Sequence, residues 1–192
     1  MPRRTPVPDS APADPRFMRR ALAQAARAAR EGETPVGAVV VKDGVVVGRG
    51  RNQRETRRDA TLHAEMTAIR AASRRLGSWR LDGCDLYVTL EPCPMCAGAI
   101  QQARLRAVYY GAKDPKAGAC GSRTDLFSVP GLNHYPSVEA GCLETECAAV
   151  LTDFFRALRA KDRTLGTRGV RRDKAKAAGT AGAAGAAGRT AP

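Results

Sequence analysis

Leu86-Tyr87-Val88-Thr89-Leu90-Glu91-Pro92-Cys93-Pro94-Met95-Cys96-Ala97-Gly98-Ala99-Ile100 changes period in its middle. Up to Leu90 it is a short aliphatic, aromatic and β-branched run, the pattern of a strand buried on both faces. Glu91-Pro92 ends that run. From Cys93-Pro94 the pattern is helical and continues through Ala99, Ile100 and Ala103, with proline in the first turn, where its missing N–H costs nothing. A strand feeding directly into a helix is the building unit of an α/β fold.

The same alternation extends outward. Asp14-Pro15 is a helix start, and Phe17, Met18, Ala21, Leu22, Ala25 and Ala29 recur at helical spacing until Gly32. Val36–Val41 and Val45–Gly48 flank Lys42-Asp43-Gly44 and predict a hairpin. A second helix is expected from about Leu62 to Leu76, stopped by Gly77, and a second buried strand at Ala107–Tyr110. A Gly-rich loop from Gly111 to Gly121 follows, then a last strand at Pro136–Glu139 and a closing helix over Glu144–Lys161. Strands alternating with helices predict an α/β sandwich with helices on both faces of one sheet.

Composition restricts the functional classes. The chain has 192 residues and a net charge of +13, which suits one domain of ordinary size. No apolar run reaches the ~20 residues a membrane span needs, and the polar, proline-rich first residues lack the apolar stretch of a secretory signal. Residues 1–14 are expected to be a disordered extension, 15–161 the folded domain, and 162–192 a disordered basic tail rich in Ala and Gly. The tail carries seven basic and two acidic side chains, leaving 15–161 at +8. A folded part that is basic in its own right points to a polyanionic partner, nucleic acid first. Six cysteines without an export signal read as reduced thiols in the cytoplasm. The close pair Cys93 and Cys96 is then available for a metal, while Cys84, Cys120, Cys142 and Cys147 are expected to be small buried hydrophobes.

The chemistry sits in His63-Ala64-Glu65 and Pro92-Cys93-Pro94-Met95-Cys96. One imidazole and two thiolates are the ligand set of a catalytic zinc with an open fourth position. Cys93 and Cys96, three apart at a helix start, share a face on which the positive end of the dipole favours thiolates. Glu65, two residues from His63, suits a proton carrier beside the metal better than a ligand. A structural zinc would need a fourth ligand, and the only other histidine, His134, lies in a loop; a redox pair would leave His63 and Glu65 without a role. The two motifs in this order are those of zinc-dependent base deaminases.

Beyond these motifs, Pro35-Val36-Gly37-Ala38-Val39, Asn52, the block Leu86–Ala99, Gly111-Ala112-Lys113-Asp114-Pro115-Lys116, Asn133-His134 and Phe154-Phe155-Arg156 resemble the bacterial tRNA-specific adenosine deaminases over roughly residues 16–161. The resemblance implies a three-layer α/β/α sandwich around a mixed five-stranded sheet, as in the cytidine-deaminase superfamily. It implies a homodimer with one Zn2+ per subunit, and hydrolysis of adenosine to inosine at the wobble position of a tRNA anticodon, arginine tRNA first. Carried over residue by residue, His63, Cys93 and Cys96 would hold zinc, and Glu65 would shuttle protons during hydroxide attack on C6. Asn52 would contact the purine and ribose, and the backbone at Leu90 and Glu91 would face the leaving amino group. Asp114 and Lys116 would fall in the anticodon-facing loop, Phe155 and Arg156 on the helix that meets RNA.

The chain departs from that family at Arg51, Ala60, Leu62 and Arg123-Thr124, none of them a zinc ligand or the proton carrier. A guanine or free-nucleoside deaminase is the alternative reading of the same zinc motif. For the softer positions the residues alone give a plainer expectation: Asp114 before Pro115 forms a turn, His134 orders its loop, and Trp79 belongs to the core.

Overall fold

Asp14 starts the first helix, α1 (Pro15–Arg30), by accepting the N–H of Arg16 on its side chain, with proline in the first turn. The computed structural model describes residues 11–164. After α1 come β1 (Gly37–Lys42), β2 (Val45–Arg51), a short α2 (Arg54–Arg57), α3 (Ala64–Leu76), β3 (Cys84–Leu90), α4 (Pro94–Gln102), β4 (Ala107–Ala112), a 3-10 turn at Leu126–Ser128, β5 (Ser137–Ala140) and α5 (Glu144–Thr164). Asp43 and Gly44 both take positive φ between β1 and β2, as the two-residue hairpin turn requires.

The sheet runs β2-β1-β3-β4-β5. β1 is antiparallel to both β2 and β3, whereas β3, β4 and β5 are mutually parallel, so the sheet is mixed. Side chains alternate across it. Ala38, Val40, Leu86, Val88, Val108 and Tyr110 cluster with residues of α3 and α4. Val39, Val41, Tyr87 and Tyr109 cluster with Met18 and Ala21 of α1 and with Cys147 of α5. Each fully buried aliphatic side chain stabilises the fold by about 1.5–3 kcal/mol. Covering both faces explains why β1, β3 and β4 read as continuous apolar runs rather than as alternation. The three-layer, five-stranded architecture is therefore as expected.

The structure also departs from the sequence reading in several places. α3 starts at Ala64 rather than Leu62, because His63 is extended (φ −73°, ψ 159°) and occupies the cap. The short α2 was not anticipated. Trp79 is not core: it is 63% exposed on the turn after α3, with the Arg80 guanidinium 5.5 Å from its ring, and Leu81 takes the buried position instead. Cys84, Cys120, Cys142 and Cys147 are buried free thiols, as expected.

At the N-terminal end, the Tyr109 hydroxyl donates to the Ala11 carbonyl, and the N–H groups of Asp14 and Ala13 donate to the Tyr87 hydroxyl and the Glu139 carboxylate. Residues 11–14 of the expected extension thus lie on the sheet, while 1–10 and most of the basic tail fall outside the described residues. The chain divides into two compact units, Met1–Phe154 and Phe155–Pro192. In the second, the described residues continue α5 to Thr164. Among the described residues no helix is long and apolar enough to cross a membrane.

Candidate active site

Two helix N-termini meet at the candidate metal centre. His63 caps α3 and Cys93 caps α4, both with extended backbone, and neither side chain bonds its own helix. The imidazole and the thiol are therefore free to face one another. α3 reaches this depth because β2 carries glycine where the helix crosses it: a Cβ on Gly50 would collide with the carbonyl of Ala64, and one on Gly48 with that of Ala68.

His63 Nδ1 lies 3.6 Å from Cys93 Sγ and 3.6 Å from Cys96 Sγ, and all three donor atoms lie within 4.8 Å of one another. Zinc bonds of about 2.3 Å to sulfur and about 2.0–2.1 Å to nitrogen place tetrahedral N and S ligands roughly 3.6 Å apart. The donor set and its spacing fit a single zinc with one position open. As protein groups, the two thiols are shifted in opposite directions. The Cys96 thiol, with His63 adding to it against burial, holds the Cys93 thiol down to about 4. The Cys96 thiol is pushed up by its bond to Cys93 and by burial. The hydrogen bond with Cys93 raises the His63 pKa.

Glu65, in the first turn of α3, is buried at 4% exposure. Desolvation pushes its carboxyl up to about 7, with Cys93 adding and His63 opposing. A carboxyl poised near neutrality next to the metal ligands can both take up and give back a proton.

Asn52, directly after β2, is buried and fixed on two sides. Its N–H donates to the Val36 carbonyl and its Nδ2 donates to Glu33 Oε2 at 3.0 Å. Glu33, fully buried, also accepts from the N–H of Glu55 and from the N–H and hydroxyl of Thr56. Next along the chain, the Gln53 N–H donates to the Leu62 carbonyl, tying this segment to the residue before His63. Sequence reasoning missed Glu33. Its signal is an acidic residue just beyond the C-terminus of α1, an end the helix dipole disfavours for anions.

Leu90 ends β3, paired with Ala112, and the Glu91 N–H donates to the Ala112 carbonyl. The Glu91 side chain faces the following loop, accepting the N–H groups of Asp114, Cys120 and Ser122 at 3.0 Å each. Burial pulls its pKa up, but these bonds outweigh it and hold the carboxyl below its usual range. A Cβ on Gly118 would strike that carboxylate. Asp114 accepts the N–H groups of Lys116 and Ala117 and so forms the turn that presents Lys116 to solvent. His134 Nε2 bonds the Leu105 carbonyl, and Asn133 accepts from Gln101 and Arg104, so this pair anchors its loop. Phe155 and Arg156 are exposed on α5 in the second compact unit.

The structure thus brings His63, Cys93, Cys96 and Glu65 together as one cluster. A mixed sheet with helices on both faces, a three-donor zinc site and a buried carboxyl beside it define a zinc-dependent deaminase. Residues 12–112 match the family described as the cytidine and deoxycytidylate deaminase zinc-binding region. The tRNA-specific adenosine deaminase of Agrobacterium fabrum is 50% identical over 146 residues, 76% of this chain and 96% of that protein. The one of Bacillus subtilis is 47% identical over 148 residues, 77% of this chain and 92% of its own. A solved structure from work on tRNA:A34 deaminases that edit A to I at the wobble position superposes with a TM-score of 0.70 at 49% identity, covering 72% of this chain and all of that one. The chain belongs to the tRNA-specific adenosine deaminase family.

Proposed function

We propose that this enzyme hydrolyses adenosine to inosine at the wobble position of a tRNA anticodon, an arginine tRNA being the first candidate, and that it works in the cytoplasm as a homodimer. The observation that carries the chemistry is the His63, Cys93, Cys96 cluster with buried Glu65 beside it. Kinship with the tRNA deaminases and the +8 charge of residues 15–161 support an RNA substrate.

In this reading His63, Cys93 and Cys96 hold one zinc per subunit. When bound, zinc supplies Lewis acidity and a nucleophile at neutral pH. Glu65 takes the proton released on attack at C6 and delivers protons to N1 and then to the departing amine, which leaves as ammonia. Asn52 orients the purine. Because Glu33 accepts from Nδ2, the Asn52 amide cannot flip, and its Oδ1 keeps one orientation. The Leu90–Glu91 corner lines the amino-group side, with the Glu91 carboxylate holding the loop that carries Asp114 and Lys116 towards the anticodon. Phe155 and Arg156 contact RNA from α5. An anticodon base is already unpaired, so extruding it costs little, and loop shape sets specificity.

A solved guanine deaminase from Bacillus subtilis, 37% identical with a TM-score of 0.52 over 77% of this chain and 94% of its own, shares the fold. Comparing kcat/KM for an anticodon stem-loop with a wobble adenosine, for free adenosine and for guanine separates the readings. A preference for the stem-loop of at least 100-fold is expected; faster turnover of guanine or free adenosine would replace this reading with that of a free-base or nucleoside deaminase.

A further inference from the structure

Two acidic residues on the short segment between α1 and β1 hold the last residue of β2 and the one that follows it. Glu33 holds Asn52, and Glu31 holds Arg51 by two parallel bonds, Arg51 Nε to Glu31 Oε2 and Arg51 NH2 to Glu31 Oε1, each 2.9 Å. Arg51, Glu31 and the last-turn residues Arg27 and Arg30 of α1 wall a pocket of about 400 Å³. Three guanidinium groups thus stand around one carboxylate that is bonded to Arg51 alone, for a local charge of +2. Among the described residues neither Arg27 nor Arg30 has an ion pair, while the charge of both reaches Glu31.

Arginines in the last turn of a helix complement its dipole, and that alone would account for Arg27 and Arg30. It does not account for Arg51, which comes from a strand and is brought to the same spot by its pair with Glu31. Nor does it account for the convergence of all three on an open pocket. Glu31 takes the Nε and Nη2 edge of Arg51 and so fixes the plane of its guanidinium. A phosphate oxygen would be met by the remaining Nη1 together with Arg27 and Arg30, with little further side-chain freedom of Arg51 lost on binding. Arg51 is also one residue from Asn52, about 3.8 Å along the backbone. A phosphate in this pocket would therefore lie one residue along the chain from the residue assigned to the purine.

We infer that Arg27, Arg30 and Arg51 form a phosphodiester-binding site that grips the RNA backbone next to the nucleotide being deaminated. The inference rests on the tRNA reading above and gives that reading a second point of attachment, specific for RNA over a free base. Arg51 stands where the family resemblance leads one to expect an aromatic residue or histidine, so the site is a property of this chain.

The test uses the zinc-loaded full chain and a fluorescein-labelled anticodon stem-loop with a wobble adenosine. The variants are Arg27→Gln with Arg30→Gln and, as a control of equal charge change at exposed positions on α3, Arg74→Gln with Arg75→Gln. All replaced side chains are exposed, so folding is retained. The Arg27/Arg30 pair is expected to weaken binding about 10-fold and to lower the slope of log affinity against log salt by about 0.7 per phosphate lost. kcat at saturating stem-loop should stay within about twofold, and the control pair should move neither binding nor slope appreciably. An unchanged slope, or an equal loss in the control pair, overturns the phosphate site while leaving the tRNA reading intact. Wild-type protein that makes no inosine in the stem-loop overturns the tRNA reading itself, and the site with it.

Discussion

Glu65 and Glu33 are both buried carboxyl groups, and their surroundings give them opposite roles. Glu33 accepts four hydrogen bonds and is spent on holding Asn52 and the start of α2. Glu65 lies against the thiols, and burial lifts its carboxyl towards neutrality, where it can exchange protons. Glu65→Gln should retain zinc, measured by metal analysis, and lose activity by about 10²–10⁴-fold; zinc-loaded variant with more than a tenth of wild-type kcat would remove Glu65 from the proton path. Glu33→Gln should raise KM for the stem-loop by about 10-fold, the size of one misplaced polar contact, and lower kcat less, since the released Asn52 amide can then flip. An unchanged KM together with a lowered Tm would mark Glu33 as structural only. His63, Glu65, Cys93 and Cys96 were legible in the sequence because each motif is local. Glu33 was not, because its partners lie 19 to 23 residues along the chain, at Asn52, Glu55 and Thr56.

Among the elements, the contact of α3 with β2 matters most to the site. Glycines at 48 and 50 let the helix backbone settle onto the strand, and that depth sets where His63 meets Cys93. Gly50→Ala should cost about 1–3 kcal/mol by overpacking and weaken zinc retention against a competing chelator; unchanged zinc affinity together with a lowered Tm would show that helix depth does not set the site. The strand-to-helix unit from Leu86 to Gln102 was legible because its period changes within one short block. The start of α3 was displaced by two residues because His63 is extended to face the metal site, and a capping histidine has no distinctive sequence signal. Trp79 was misread because aromatic content suggests burial, whereas Gly77 turns the chain before it and Leu81 fills the core.

At the scale of the whole molecule, charge governs both stability and partner. Glu91 has a folded pKa below its ordinary 4.5, so its contribution is fully present above that value and lost as the pH falls through the lower folded one. Asp14, Glu31, Asp59 and Asp82, held down by Arg16, Arg51, Thr61 and Arg80 respectively, act in the same direction. The enzyme should therefore lose stability on the acid side, below about pH 4.5. Glu91→Gln, costing about 1–3 kcal/mol at neutral pH, should flatten that dependence in denaturant titrations; a variant with the wild-type slope would show that Glu91 does not carry it. The net basic charge was legible from composition, but the Arg27, Arg30 and Arg51 pocket was not, since it joins a helix end to a strand end. Editing of the wobble adenosine is tested by incubating zinc-loaded enzyme with full-length tRNA bearing that adenosine and reading each adenosine by reverse transcription. Conversion to inosine is expected at that single position, absent with Glu65→Gln and after zinc removal. An unedited wobble adenosine, under conditions where the same protein deaminates guanine or free adenosine, would contradict it.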